Sequence, residues 1–258
     1  MWEKELRAAI DAGRAASKVI LDIYHRDFEV EIKEDQSPVT MADKLADQLI
    51  RKLLHADFPT YDFLTEESID DVIRLDSDYV WIVDPVDGTK DFVNKKDEFT
   101  TNIALSYKHE IVVGVIVVPV SGLIYYATKG GGAYRINKNT ITKLTVSDRD
   151  DNLTVLASRF HLKEAEIDLF TKYQSTINRV ETCGSSLKAC RIAEGSAELS
   201  YRLSDGTKEW DIAANQLIVE EAGGVLLKPD FTKYKYNRAD VVNREGYIIA
   251  NKQSNILL

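Results

Sequence analysis

The chain has 258 residues, 44% hydrophobic and 29% charged, enough to bury a substantial core in one large domain or two intimately packed lobes. A formal charge of -9 and a pI near 5.1 exclude general attraction to nucleic-acid polymers or anionic membrane, so the expected ligand is small. No apolar run reaches the roughly 20 residues needed to span a bilayer, and no leader-like N-terminal segment is present, so no integral membrane association and a cytoplasmic location are the expectations.

Residues 3 to 24 repeat Leu6, Ile10, Gly13, Ala16, Ile20 and Ile23 at helical spacing, which predicts an amphipathic helix. The charged segment EVEIKEDQSP then reads as extended. A second helix starts at Thr40 as N-cap, with Asp43 three residues on and Leu45, Leu49, Ile50, Leu53 and Leu54 as its apolar positions. YVWIVD (79 to 84) is β-branched and aromatic and reads as a buried strand ending in the turn-forming DPVDGT. TNIALSY, EIVVGVIVV, GLIYYAT and GAYRI, between residues 101 and 136, are separated by turn signals and predict an antiparallel meander. SDRDDN (147 to 152) is the most loop-like stretch and divides an N-terminal α+β lobe, 1 to 148, from a C-terminal α/β lobe, 149 to 258. Beyond it, LTVLAS, NRVET, AELSYRL, GVLL and GYIIA alternate with helices near 163 to 175, 185 to 194 and 211 to 222. Cys183 and Cys190 lie seven residues apart in a stretch read as helical, where two turns hold the sulfurs too far apart to bond, so both are expected to be reduced core thiols.

Three short acidic sites stand beside apolar strands or at helix starts: TEE (65 to 67), DPVDGT (84 to 89) and WD (210 to 211). Each alone is an ordinary cap or turn. Within DPVDGT, however, a proline fixes the turn and two aspartates stand three residues apart before Gly88-Thr89, an arrangement that can converge carboxylates on a hard cation. An all-oxygen donor set without a His or Cys cluster suits magnesium better than zinc; the histidines at 25, 55, 109 and 161 show no ligand spacing.

T-E-E, W-I-V-D-P-V-D-G-T-K-D-F and W-D-I-A-A-N, in this order, resemble the signatures of the lithium-sensitive, inositol monophosphatase-like phosphatases. SPVTMAD, DGTKDF, LASRFH, CGSSLKACRIAEG and YNRADVVN are most similar to the 3'(2'),5'-bisphosphate nucleotidases within that superfamily. The resemblance implies a layered αβαβα sandwich of the α/β class and a magnesium-dependent phosphomonoesterase using two or three ions. It assigns the metal shell to Glu66, Asp84, Asp87, Asp211 and the backbone carbonyl of Val86, water activation to Asp43 and Thr89 with Glu66 beside them, and phosphate contacts to the N–H groups of Gly88 and Thr89. Glu67 is left as structural. For the substrate it points to Ser158 and His161 near a base, Ser185 and Lys188 near a second phosphate or sugar, and Arg202 as a further phosphate contact. Phe160 departs from the pattern, since the nucleotidases usually carry a small residue there.

The implied reaction is hydrolysis of the 3'-phosphate of adenosine 3',5'-bisphosphate to AMP, which clears a by-product of sulfate activation. The alternatives are an inositol or broad sugar-phosphate phosphatase, and a non-catalytic homologue. The expected partner is a small nucleotide or sugar phosphate; a homodimer is admitted but not required. YKYNR (234 to 238) reads as a structural edge in preference to a base-stacking platform.

Overall fold

A computed structural model describes residues 1–33 and 38–258. Helix α1 (Glu3–Tyr24) leads into a short antiparallel pair, β1 (Val30–Ile32) with β2 (Pro38–Thr40), and α2 (Met41–Asp57) follows directly. Four residues of the segment read as extended, 34–37, lie outside the described residues. The α1 and α2 seam is built from small side chains, Ala9, Ala12 and Ala16 with Ala42 and Ala46, which let the two helices approach closely. Of the apolar positions expected for α2, Ile50 and Leu54 fill the core and Leu49 is half-buried, whereas Leu45 and Leu53 are exposed.

Seven strands form the larger sheet, in the order β3 (Asp62–Thr65), β4 (Tyr79–Asp87), β5 (Thr100–Tyr107), β6 (Glu110–Val118), β7 (Leu123–Thr128), β8 (Gly132–Asn137) and β9 (Thr140–Lys143). The short helix α3 (Thr89–Val93) lies between β4 and β5. The meander extends one strand beyond the sequence expectation: β9 is exposed throughout, so burial patterning gave no signal for it. All strand pairs in this sheet are antiparallel except β3 with β4, which places Thr65, the last residue of β3, beside Val83.

The chain then runs through β10 (Leu153–Ser158), α4 (Glu164–Lys172), β11 (Ile177–Cys183), α5 (Leu187–Ala193), β12 (Leu199–Arg202), β13 (Thr207–Lys208), α6 (Glu209–Glu221), β14 (Val225–Leu227), β15 (Val242–Asn243) and β16 (Tyr247–Ala250). Five of these strands form a second sheet, ordered β11-β10-β12-β16-β14, and β13 pairs with β15. Cys183 closes β11 and does not belong to the following helix, since the Gly184 to Ser186 turn intervenes; both cysteines are nonetheless buried and free.

Strand alternation explains the layering. Trp81 and Val83 of β4 pack with α1 and α2 on one face, whereas Val80 and Ile82 face a core shared with α5, α6 and the inner face of the second sheet. Leu153, Val155, Leu199 and Ile248 turn the opposite way, toward Leu169 of α4. The order is helices, sheet, helices, sheet, helix, the expected αβαβα sandwich. Tyr234 and Tyr236 of the YKYNR stretch are buried, with the Tyr236 hydroxyl donating to Gln216 Oε1 at 2.7 Å, as the structural reading of that segment expects.

The inner helix α6 packs tightly on β6 at Gly114, where a Cβ would stand 3.0 Å from the carbonyl oxygen of Ala214. We therefore expect Gly114→Val to push α6 off the sheet and cost about 2 kcal/mol, read as a lower urea midpoint, in line with overpacked cores. An unchanged midpoint would show that the layers have slack.

Candidate active site

Each acid is delivered by a different local device. Glu66 immediately follows β3, and its N–H donates to the carbonyl of Val83 at 3.2 Å, which fastens it beside β4. Asp84 lies opposite Asn102 and Asp87 opposite Thr100, so three steps on β4 match two on β5. The extra residue makes a bulge, which bends the strand and turns both aspartates toward one side. Thr101 Oγ1 supports it by donating to the Pro85 carbonyl at 2.8 Å. Gly88 then takes a left-handed conformation (φ 91°) and starts α3; a Cβ there would stand 3.1 Å from Ser185 Cβ. Asp211 is the third residue of α6 and caps its start through the Lys208 N–H.

Ligand-competent oxygens of Asp84, Asp87 and Asp211 lie within 4.8 Å of one another. Asp84 is 1% exposed, and its Oδ1 is buried without a hydrogen-bond partner. Burial, and then the charges of Glu66, Asp87 and Asp211, push its carboxyl well above the usual range; burial and the charges of Asp87 and Glu66 do the same to Asp211. Like charges converging in a poorly solvated place with an orphaned oxygen suit a cation, and the all-oxygen donors suit a hard one. Glu66 adjoins this trio but is held by Lys33, 3.1 Å from its Oε1, and Lys33 also pairs with the more buried Glu67. Burial alone would lower Lys33; the two glutamates outweigh it and hold its ammonium above the ordinary lysine range.

Asp87 is fixed from one side only. Its Oδ2 accepts from the Ser186 N–H and hydroxyl, both at 2.6 Å, from Asn102 Nδ2 at 3.2 Å and from Thr100 Oγ1 at 3.3 Å, leaving Oδ1 outside these bonds. Ser186 and Asn102 were missed in the sequence, although Ser186 sits in CGSS beside the predicted Ser185. A buried acceptor needs donors, but nothing in the spacing shows that residues about 15 and 100 positions away would supply them.

Asp43 serves two neighbours. Its Oδ2 accepts from Thr40 N (2.9 Å) and Thr40 Oγ1 (2.6 Å) in the expected capping box, while Oδ1 lies 3.2 Å from Thr89 Oγ1. The Thr89 hydroxyl is also 3.2 Å from the Val86 carbonyl, so one proton is shared between two acceptors. Burial raises the Asp43 carboxyl against the lowering effect of Thr40.

Glu66, Asp84, Val86, Asp87, Gly88, Thr89 and Asp211 open on a cleft of about 630 Å³, which is also lined by Ser158, His161, Ser185, Lys188 and Arg202. Asp43, buried behind Thr89, reaches the cleft only through that hydroxyl. Two of the lining residues have structural tasks there: Lys188 is buried, not solvated, and donates to the Ser185 carbonyl at 2.7 Å, and Arg202 Nη1 donates to the His161 carbonyl at 3.0 Å. His161 sits at the exposed rim, yet its pKa is pushed down to about 4 by its protein surroundings and by Arg202, Lys90, Lys188 and Lys163. Phe160 also lines the cleft.

The chain matches the profile of the Inositol monophosphatase family over residues 1–257. It belongs to the inositol monophosphatase family. Among curated members, it is 31% identical over 251 residues to the 3'(2'),5'-bisphosphate nucleotidase CysQ of Aggregatibacter actinomycetemcomitans, covering 95% of this chain and 90% of that protein. It is 32% identical over 231 residues to the Nus factor SuhB of Pasteurella multocida, covering 86% and 84%. The crystal structure of CysQ from Bacteroides thetaiotaomicron, a bacterial member of this family, superposes with a TM-score of 0.85 at 32% identity, covering 98% of this chain and 99% of that one. Family membership makes a metal-dependent phosphatase the class to which this acidic cleft belongs. No helix among the described residues is long and apolar enough to cross a membrane.

Because Asp84, Asp211 and Asp43 bind protons more tightly folded than unfolded, metal-free protein should lose stability as pH rises from the ordinary carboxylate range near about 4 through neutrality. A divalent cation bound there would relieve that repulsion, so the rise in Tm on adding magnesium should grow between about pH 5 and pH 8. Thermal melts with and without magnesium check this; a magnesium effect independent of pH would contradict it.

Proposed function

We propose that this protein is a magnesium-dependent phosphomonoesterase that hydrolyses the 3'-phosphate of adenosine 3',5'-bisphosphate to AMP and phosphate. The observation that carries this reading is the polarity of the cleft, which is lined both by acids with an orphaned buried oxygen and by the cations Lys90, Lys188 and Arg202. Such a cleft accommodates a small molecule with one phosphate at the acids and further negative charge beyond them.

Glu66, Asp84, Asp87 and Asp211, with the Val86 carbonyl, would hold two or three magnesium ions. When bound, magnesium neutralises phosphate charge and acidifies water. The remaining work belongs to the chain. Thr89, by donating its proton toward Asp43 or Val86, keeps oxygen lone pairs with which to accept a hydrogen bond from water and orient it. The proton released on attack passes through the Thr89 hydroxyl to Asp43, whose raised affinity for protons suits that task. The N–H groups of Gly88 and Thr89 at the start of α3 would donate to phosphate oxygens. Ser158, His161 and Ser185 would line the base and sugar side, and Lys188 and Arg202 would act both directly and by fixing the 183–185 turn and the His161 backbone.

Asp84→Asn removes a charge from the shared site and should lower kcat on the order of 100-fold or more. Phosphate release measured on adenosine 3',5'-bisphosphate and on inositol 1-phosphate under equal conditions should strongly favour the former. Near-normal turnover in the variant would sink the mechanism, and a preference for inositol 1-phosphate would sink the substrate.

A further inference from the structure

The cations around the cleft are not equally available. Lys33 is committed to Glu66 and Glu67. Lys188 spends hydrogen bonds on the carbonyls of Cys183 and Ser185, and Arg202 on that of His161. Lys90 differs: it lines the cleft, is half-buried, and among the described residues its ammonium makes no hydrogen bond or ion pair.

The surroundings explain why Lys90 stays unpaired. Its neighbour on α3, Asp91, is buried and accepts from Arg159 Nε at 3.1 Å. Glu98, the next acid along the chain after Asp97, is held by Arg159 and by the Gly184 N–H at 2.8 Å. Gly184 is required for this knot, because a Cβ there would stand 2.8 Å from the Asp91 carboxylate. Both of these nearby acids in the chain are therefore engaged by Arg159. A lysine that stays half-buried without a counter-ion carries an uncompensated charge, and that charge favours an anion from outside.

Its place in the fold says which anion. Lys90 follows Thr89, so its backbone stands at the end that receives the scissile phosphate, while its charge is felt at His161 on the opposite loop. Lys90 and His161 line the same cleft.

We propose that Lys90 reads the second, non-scissile phosphate of a bisphosphorylated substrate, and that Arg159 is a positioning residue that keeps it free to do so by holding Asp91 and Glu98. This rests on the bisphosphate reading above and adds to Lys188 and Arg202 a further residue that discriminates bisphosphate from monophosphate.

The experiment compares kcat/KM for adenosine 3',5'-bisphosphate with that for adenosine 3'-monophosphate in the magnesium-loaded enzyme and in Lys90→Met and Lys90→Arg. The expected result is a preference of the unaltered enzyme for the bisphosphate that falls about tenfold or more in Lys90→Met, as loss of one charge-assisted contact implies, and is largely retained in Lys90→Arg. The ratio cancels any disturbance of Thr89, because both substrates present the same scissile phosphate. If the unaltered enzyme prefers the bisphosphate and Lys90→Met keeps that preference, the Lys90 assignment is overturned and the proposed function stands. Equal loss on both substrates also overturns it, because Lys90 would then serve the common phosphate. An unaltered enzyme that does not distinguish the two substrates overturns both readings. For Arg159, Arg159→Ala should lower the same ratio, because Asp91 and Glu98 become free to capture Lys90, and Arg159→Lys should restore part of it; a ratio unmoved in Arg159→Ala removes the positioning role.

Discussion

Repulsion among carboxylates is the constraint on which this structure turns. Asp84, Asp87 and Asp211 stand within reach of one ion, with Glu66 beside them, in a place where water cannot screen them well. Holding them together without a cation opposes folding, so the surrounding architecture must be stiff enough to do it. The stiffness is visible: a bulge between paired central strands carries two of the acids, a helix start packed between the sheets carries the third, and four donors pin one oxygen of Asp87.

Much of this was legible in the sequence, for reasons that differ by element. Helices α1 and α2 carry period and capping signals, and β4 to β8 are apolar runs broken by turn dipeptides, so local chemistry alone located them. The acids were legible because the spacing in DPVDGT can converge two carboxylates on a hard cation, and the resemblance of TEE and WD to family signatures pointed to the other two. What escaped was long-range or small. The α1 and α2 seam is made of alanines, which pattern reading ranks below the leucines of the exposed face. β9 has no buried residue to betray it. Ser186 and Asn102 are ordinary polar residues until the fold places them on Asp87. Lys188 shows the limit most clearly, since the family resemblance points to it for a second phosphate or sugar and nothing in its own spacing shows the turn of carbonyls at 183 to 185 that makes it an interior group.

The two halves of the chain meet in a knot around the site and not only through the shared core. Arg159, from the loop after β10, reaches Asp91 and Glu98 in the first half, and Glu98 in turn binds the Gly184 turn whose next residues hold Asp87. The loop that lines one part of the cleft and the turn that orients an acid of the cluster are therefore mechanically continuous. Selectivity and acid geometry cannot vary independently in such an arrangement.

Asp43 carries the same economy to a single side chain. One oxygen closes the N-terminal cap of α2 and the other faces Thr89. Under the mechanism proposed above, a change that silences the Thr89 side of this carboxylate also uncaps a helix of the outer layer, so the amounts of folded protein recovered and the rate per molecule will fall together. Inherited or engineered variation at position 43 will consequently be read as poor expression in a cell, when part of its cause is chemical. Thr89, whose hydroxyl has no such second duty in a helix cap, is the position at which the two effects come apart.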